Sequence, residues 1–261
     1  LGLRSDYLAI STLLISGIIV SVIKHEEWLS RGVKNVIGLK RPAPYEVNLQ
    51  NSEWFIKMIE TIRFWGPTTK DIIISSSGIF VKLCFTVIFS ITLLILLYLS
   101  ERAVNSPWGR MMRAIRDNET AAKAMGKNIV KQQLNIFMIG SAIIGFAGAM
   151  LVTYDGLFTP SSYQPLRYTF LIWVMVLLGG SGNNYGSILG GFVVWFIWIE
   201  SAPIALFLIN FCTFFLEYNN PIKLHLIESV PYFRYLMMGV GLLLVMRYKP
   251  EGLLPERKIS F

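Results

Sequence analysis

Charged side chains are scarce in this chain of 261 residues, where Asp, Glu, Lys and Arg make up only 15%. Since an average soluble domain carries roughly a quarter, a soluble globular protein is disfavoured. The two cysteines, Cys84 and Cys212, lie in separate apolar runs, which indicates small buried hydrophobes rather than a disulfide. Two isolated histidines supply too few ligands for a metal cluster. The pattern G-x-x-x-x-G-K-[ST] is also missing, so we expect this chain to bind neither a metal nor ATP.

Hydrophobic residues, in contrast, make up 54% of the sequence and occur in long runs. The runs that are nearly free of charge are Tyr7–Ile23, Ile79–Leu99, Leu134–Thr153, Tyr168–Leu178, Ile188–Ile199 and Tyr232–Met246. Several reach the length of about 17–25 residues that a membrane-spanning helix requires. The pattern predicts an all-α, polytopic helical membrane protein, in which residues 1–261 form one transmembrane domain with about six membrane segments.

The sequence begins at Leu1 with an apolar run that no charged n-region or cleavage site precedes, which argues against a signal peptide. We therefore expect that N-terminal membrane segments are missing from it. The net charge of +8 would suit nucleic-acid binding, but in a membrane protein it indicates basic cytoplasmic loops that face anionic lipid. The expected partner is membrane lipid and not nucleic acid.

Basic residues in the loops predict the orientation of the chain. Residues 101–133 hold seven basic residues against three acidic ones, so this segment and the C-terminus are predicted to be cytoplasmic. The loops near Asp155 and Glu217 are then external, and so is the polar segment Lys24–Asp71 (residues 24–71). The apolar run Ala205–Leu216 (residues 205–216) either extends the preceding helix or lies in the external interface of the membrane.

Local signals predict two short helices in the predicted cytoplasmic segment. Ser106 and Pro107 fit the N-cap and first position of one helix. Asp117 or Asn118 can cap the second, and Gly126 fits the left-handed position that ends it.

An apolar stripe along these two helices supports two hypotheses. The stripe consists of Met111, Ile115, Ala122 and Met125. It can dock a soluble partner, because apolar helix faces fit grooves, or it can lie against lipid headgroups.

Small residues recur at every fourth position in two places, which favours close helix packing in lipid. The two rows are Ser141, Gly145 and Ala149, and Gly182, Gly186 and Gly190. The second row belongs to GGSGNNYG, which joins two short apolar runs, and Gly-interrupted helices in transporters often border a substrate path. Spacing alone leaves packing and a substrate path open.

The predicted cytoplasmic segment also resembles a known family. SPWGRMMRAIRDNETAAKAMGKN, Ser106 to Asn128, contains ETAA from Glu119, followed by Gly126. It resembles the E-A-A…G loop of ABC importer permeases, with Thr120 inserted, and in particular the branched-chain amino-acid permeases of the LivM type.

Three further stretches resemble motifs of the same family. SDYLAIST, Ser5 to Thr12, resembles G-D-Y-L-A-I-x-T, and LGGSGNNYGSILGG, Leu178 to Gly191, resembles L-G-G-x-G-x-x-x-G-P-x-x-G-A. RYKPEGL, Arg247 to Leu253, resembles R-P-x-G-L. The four matches follow the family's order from one end of the chain to the other.

The resemblance implies a permease subunit of an ABC importer for branched-chain amino acids in the cytoplasmic (inner) membrane of a bacterium or archaeon. It implies a second, LivH-like permease subunit, two ABC ATPase subunits that use ATP, and a periplasmic or extracellular substrate-binding protein. The family's loop forms coupling helices that seat in the ATPases. The residues of this chain that match the loop are Glu119, Ala121, Ala122 and Gly126. Two arginines, Arg113 and Arg116, are expected to add electrostatic contacts. Two broken-helix candidates can line a substrate path with Ser5, Asp6, Tyr7, Thr12, Gly179, Gly180, Gly182 and Asn183.

Other functions remain as alternatives. Permeases for urea or short-chain amides resemble this family closely. An ion-coupled channel or secondary transporter would place acids or paired charges inside the membrane, where the predicted helices hold almost none. A membrane enzyme is disfavoured because Ser181, in GGSGN, lacks both the G-x-S-x-G pattern and a nearby histidine, so we expect no catalytic residues.

Overall fold

The computed structural model describes residues 5–30, 32, 34–62, 69–160, 165–215 and 220–256, and the chain divides into two compact units, Leu1–Tyr163 and Gln164–Phe261. Among the described residues, the helices long and apolar enough to cross a membrane are Lys70–Asn105, Ile129–Asp155, Asn184–Cys212 and Val230–Tyr248. Shorter apolar helices cover Ile10–His25 and Tyr168–Gly179. These positions match the predicted runs and confirm a polytopic helical membrane protein.

The described residues of the first unit form helices and one pair of short strands. Its helices are α1 (Ser5–His25), α2 (Glu27–Ser30), α3 (Glu46–Gln50), α4 (Glu53–Ile62), α5 (Lys70–Asn105), α6 (Pro107–Asp117), α7 (Glu119–Ala124) and α8 (Ile129–Asp155). Strand β1 (Val36–Ile37) pairs antiparallel with β2 (Leu157–Phe158). The pairing joins the two stretches of this unit that the loop charges predicted to be external.

Helix α5 is much longer than the apolar run that predicted it. The run Ile79–Leu99 lies within a helix of 36 residues, which is about 54 Å long at 1.5 Å per residue. The hydrocarbon core of a bilayer is only about 30 Å thick. Helix α5 therefore extends beyond the hydrocarbon core.

Part of the predicted external segment folds into a cap, residues 41–62, that packs on the first half of α5. Phe55 and Ile59 of α4 meet Val81 and Phe85 of α5 in a buried core. Helix α4 forms because its apolar residues recur at helical spacing, and this is the face that it buries. Since α6 follows the other end of α5, the cap and α6 lie at opposite ends of a helix that can span the membrane.

A buried arginine holds the cap to α5. The Arg41 guanidinium lies 3.8 Å from the centre of the Tyr45 ring and 5.9 Å from that of Phe85. Its Nη2 donates to Glu46 Oε2 at 2.6 Å, and the Arg41 side chain is only 6% exposed. Burial raises the pKa of Glu46, but a backbone hydrogen bond and the bond and charge of Arg41 outweigh it, so the pKa is lowered. Folding therefore favours the ionised form of Glu46, which pairs with Arg41.

The second unit is also helical in its described residues. Its helices are α9 (Pro165–Gly179), α10 (Asn184–Cys212), α11 (Pro221–Glu228) and α12 (Val230–Tyr248). Helix α10 runs for 29 residues through Pro203, which a membrane helix tolerates. The run Ala205–Leu216 thus extends the preceding helix as far as Cys212, and its last residue lies outside the described residues. Ile188–Ile199 is part of this long helix and not a short helix of its own.

Glycines allow α9 and α10 to approach each other closely. A Cβ on Gly190 would overlap the carbonyl oxygen of Met175, and one on Gly186 would lie 2.7 Å from the carbonyl oxygen of Gly179. The buried core beside this contact contains Leu171, Val174, Leu178, Val194, Trp198 and Met238, the last from α12. The packing interpretation is confirmed for Gly186 and Gly190.

The other row of small residues, on α8, has no such partner among the described residues. A Cβ on Gly145 would meet no atom within 4 Å. Ser141 and Ala149 are exposed, and no residue in the most apolar part of α8 is buried. The described parts of this chain therefore do not use this row for packing.

Candidate functional site

The turn from α5 into α6 is tight and is closed by a side-chain cap. Ser106 Oγ accepts a hydrogen bond from the Gly109 amide at 3.2 Å, and Pro107 takes the first helical position. A Cβ on Gly109 would overlap the carbonyl oxygens of Ala103 and Val104. Both predicted start signals of α6 are confirmed, and the close approach fixes α6 against the end of α5.

Asn118 separates α6 from α7 and caps the second helix. Its Oδ1 accepts from the Ala121 amide at 2.9 Å, so Asn118 rather than Asp117 is the cap. After α7, Gly126 adopts a φ of 76°, the left-handed conformation that the sequence predicted. Its amide donates to the Lys123 carbonyl at 3.0 Å, and the next amide donates to the Ala122 carbonyl at 3.3 Å, which is the Schellman pattern.

The α6–α7 segment, residues 107–124, encloses a small apolar core with the start of α8. Ile115, Ala122 and Ile129 are buried in it, and Met111 and Met112 pack against them. The predicted apolar stripe is therefore only partly exposed, because Ile115 and Ala122 are buried within the chain. The physical reason is that Ile129 of α8, which is not part of the stripe, shares a buried core with these two side chains. Helical spacing within α6 and α7 cannot predict a contact with a later helix.

Two side chains of α6 tie the segment to the long helices. Trp108 Nε1 donates to Gln132 Oε1 of α8 at 3.2 Å. Arg113 Nη2 donates at 3.2 Å to the carbonyl oxygen of Val104, in the last turn of α5 where helix carbonyls lack internal partners. Movement of α6 is thus linked to both α5 and α8.

The predicted coupling residues divide into buried and exposed ones. Ala122 is 8% exposed and belongs to the small core. Arg116 forms an exposed pair with Asp117 at 3.4 Å. Glu119, Ala121 and Gly126 are exposed, and an open concavity of about 440 Å³ has Glu119, Lys123, Gly126 and Lys127 at its edge. The surface available to a partner is therefore the polar side of α7 with its C-terminal turn.

The predicted substrate-path residues fall into separate units. Tyr7 on α1 is 60% exposed and Thr12 is half-buried, while the side chains of Ser5 and Asp6 lie outside what the structure describes. In the second unit, Gly179 and Gly180 are buried and Gly182 is exposed. Asn183 Oδ1 caps α10 by accepting from the Tyr185 amide at 3.0 Å. The structure thus brings Gly179 to Asn183 together as the turn between α9 and α10.

The sequence did not predict that the C-terminal segment closes this turn. The amides of Leu253 and Leu254 donate to the carbonyls of Leu178 and Gly179 at 3.0 and 2.9 Å, which satisfies the end of α9. Asn183 Nδ2 also donates to the Pro255 carbonyl at 3.2 Å. Two motifs quoted separately from the sequence are therefore one structural contact.

A cation inside α12 was also missed. The Arg234 guanidinium lies 5.5 Å from the centre of the Trp198 ring of α10, which suits a cation–π contact. Tyr235 packs edge-on against the same ring at 5.6 Å. The signal was visible, since Arg234 is the charged residue in the run Tyr232–Met246, which is otherwise free of charge.

The fold defines a multi-pass helical membrane protein whose long helices α5 and α8 are joined by a short, folded helical segment. A family described as "Branched-chain amino acid transport system / permease component" matches residues 1–246. This match covers most of the chain, so the chain belongs to that family of permease components.

Individual relatives agree with this family. A protein of Methanocaldococcus jannaschii named as a probable branched-chain amino acid transport permease protein LivM is 33% identical over 75% of this chain and 53% of its own length. The high-affinity LivM permease protein of Salmonella typhimurium is 24% identical over 98% of this chain and 52% of its own length. The chain therefore spans about half the length of these curated relatives.

A more distant relative is named for another cargo. The fructose import permease protein FrcC of Rhizobium meliloti is 29% identical over 33% of this chain and 25% of its own length. No solved structure matches the chain.

Proposed function

We propose that this chain is a transport subunit of an ATP-driven importer and that its α6–α7 segment is the seat of the ATPase subunits. The observation that carries the proposal is the position of this segment. Its two helices begin at side-chain caps, and hydrogen bonds link it to both α5 and α8. It lies at the end of α5 opposite the cap formed by residues 41–62. A partner that moves α6 would therefore move two membrane helices together.

The ATPase contact is the polar surface of α7. Glu119, Lys123 and Lys127 border the open concavity there, and Met125, the one stripe residue that is strongly exposed, is 80% exposed. Arg113 acts mainly by holding α6 to α5, and Arg116 supplies an exposed charge beside α7. Ala121 and Gly126 contribute by letting a partner approach the helix and its final turn.

ATP drives transport without binding to this chain. Two separate ATPase subunits bind and hydrolyse it, so the chain itself is not an enzyme. ATP shifts the equilibrium between two states of the importer only by the difference in its affinity for them. Rigid links from α6 to α5 and α8 turn the approach of the ATPases into a movement of the membrane helices.

The cargo is a branched-chain amino acid, namely leucine, isoleucine or valine. The names of the LivM relatives support this cargo, and they cover far more of the chain than the sugar permease does. A substrate-binding protein delivers the cargo, and a second, LivH-like permease subunit completes the path. The turn Gly179 to Asn183 and the start of α1 are the proposed lining. Urea or a short-chain amide is the alternative cargo.

The loop charges and the positions of the cap and α6 at opposite ends of α5 support one orientation of the chain. The α6–α7 segment and the C-terminus face the cytoplasm, and the cap faces outward. The membrane is the cytoplasmic membrane of a bacterium or archaeon.

Uptake of labelled leucine tests this proposal. The measurement uses proteoliposomes with the full-length chain, its partner permease, both ATPases and the binding protein. We expect uptake that requires ATP and is blocked by unlabelled valine but not by urea. Accumulation of urea or an amide instead of leucine would agree with an ATP-driven importer but contradict the proposed cargo. Leucine uptake without ATP would contradict the proposed role of the ATPases.

A further inference from the structure

A groove on the first unit lies where α6 meets the ends of α5 and α8. It has a volume of about 400 Å³ and is open to the surface. The lining residues that matter are Trp108, Met112, Arg113, Arg116, Gln133 and Ile136. It is separate from the concavity beside α7, whose edge is formed by residues from Glu119 onward.

Two arginines, Arg113 and Arg116, line the groove. Arg113 uses one N–H for the Val104 carbonyl at 3.2 Å, and a guanidinium carries five N–H donors. Arg116 is paired with Asp117 at 3.4 Å, but both side chains are more than half exposed, which makes this a weak surface pair. Two arginines that line one open groove suit a phosphate, which guanidinium groups can bind through parallel hydrogen bonds.

An apolar stripe on α8 begins at the groove. Ile136 lines the groove, and Ile139 and Ile143 follow it at helical spacing on the same side of α8. These three side chains are 40%, 54% and 41% exposed. Since α8 is apolar enough to cross a membrane, this stripe runs from the groove into the hydrocarbon core.

We propose that this groove binds an anionic phospholipid of the bilayer, with its phosphate on Arg113 and Arg116 and an acyl chain along Ile136 and the stripe beyond it. Basic pockets beside membrane helices recognise such headgroups. A soluble protein would not cover a stripe that enters hydrocarbon, and an apolar membrane helix would offer the two arginines no anion. A zwitterionic lipid has no net negative charge to complement them. The site goes beyond the proposed function and limits it in one respect, because the ATPases must contact α7 and leave this groove open.

Quenching of Trp108 fluorescence tests the lipid site. The full-length chain is reconstituted in phosphatidylcholine vesicles that contain a rising fraction of phosphatidylglycerol with brominated acyl chains, and bromine quenches tryptophan on contact. The contribution of Trp108 is the difference between the parent protein and Trp108→Phe. We expect half-maximal quenching of this contribution at a several-fold lower mole fraction of brominated phosphatidylglycerol than of brominated phosphatidylcholine.

Charge variants make the test specific. Arg116→Gln, which leaves the bond from Arg113 to Val104 in place, should raise the half-quenching fraction of phosphatidylglycerol roughly fivefold, and Arg113→Gln/Arg116→Gln should raise it further. The matched control Lys123→Gln/Lys127→Gln removes the same charge from the other concavity and should leave the value unchanged.

Three results would overturn the proposal. Equal quenching by the two lipids would mean an unspecific lipid contact. An equal shift in the lysine control would mean attraction by overall surface charge. Loss of quenching when the ATPase subunits are added would mean that a protein covers the groove.

Discussion

Gly126 is the residue at which backbone conformation bears most directly on the proposed ATPase contact. Its φ of 76° lies in the left-handed region, and a Cβ there would meet nothing within 4 Å. A substitution therefore acts through the backbone and not through a clash. Only glycine, and to a lesser degree asparagine, adopts this conformation readily.

The first prediction concerns Gly126→Val. A β-branched residue in the left-handed region costs about 1–2 kcal/mol locally, so the turn after α7 should rearrange while the chain still inserts into the membrane. We expect the ATPase subunits to be lost on co-purification. Gly126→Asn is the control and should retain most of the association. Equal co-purification with both variants would contradict a role for this turn.

Glu46 provides a prediction about pH at a single residue. Because its folded-state pKa lies below the ordinary 4.5, the pair with Arg41 stabilises the cap fully above that pH. The contribution is lost as the pH falls further, through the folded-state value. It should be small, because the Glu46 side chain is 41% exposed.

Thermal unfolding of Glu46→Gln in detergent checks the predicted direction of this pH dependence. The parent should unfold at a higher temperature than the variant above pH 4.5, and the two midpoints should converge at lower pH. Glu60→Gln, in the same cap and exposed, is the control. A difference between parent and Glu46→Gln that grows on acidification would show that the sign is wrong.

At the scale of elements, the contact between α9 and α10 depends on glycine at one position and not at its neighbour. Gly190 faces the backbone of Met175 and Gly179, whereas a Cβ on Gly191 would meet no atom within 4 Å. The two adjacent positions therefore form a matched pair for one experiment.

The prediction is that Gly190→Leu separates the helices and Gly191→Leu does not. Overpacking by a side chain costs about 1–3 kcal/mol or more, and here the obstacle is backbone that cannot rotate away. Resistance to unfolding in sodium dodecyl sulfate, followed by circular dichroism, measures the effect. Leucine favours a helix more than glycine does, so helix propensity alone would stabilise both variants. Similar losses in both would therefore mean that the close approach at Gly190 does not decide stability.

Elements also differ in how far their sequence predicts them. The caps at Ser106 and Asn118 and the turn at Gly126 were predicted correctly, because each depends on residues within a few positions. The docking of Leu253 and Leu254 on the end of α9 was not predicted, since it joins positions about 75 residues apart in sequence. Burial of Ile115 was missed for the same reason, because its cover comes partly from Ile129 of a later helix.

At the scale of the whole molecule, the apolar runs predicted the membrane segments but not their full lengths. Helix α5 extends beyond its apolar run at both ends, and the cap packs against its first half. The predicted external segment looked like a polar loop because its helices are short. Its sequence also gave no sign that the charged residue Arg41 contacts the rings of Tyr45 and Phe85. Alternation of apolar and polar runs therefore predicts crossings, but not the structures that join them.

The central claim is that the ATPases seat on the α6–α7 segment and not on the cap at the other end of α5. Single cysteines at two exposed positions test it: Met125→Cys beside α7, 80% exposed, and Val47→Cys on the cap, 63% exposed. Both are made after Cys84 and Cys212 have been replaced by serine. A short thiol-to-amine cross-linker is then applied to the assembled importer in membranes.

We predict a cross-link between the ATPase subunits and the cysteine at position 125, with none from position 47. A cross-link to the ATPases from position 47 but not from position 125 would contradict the account, because it would place the opposite end of α5 at the ATPases.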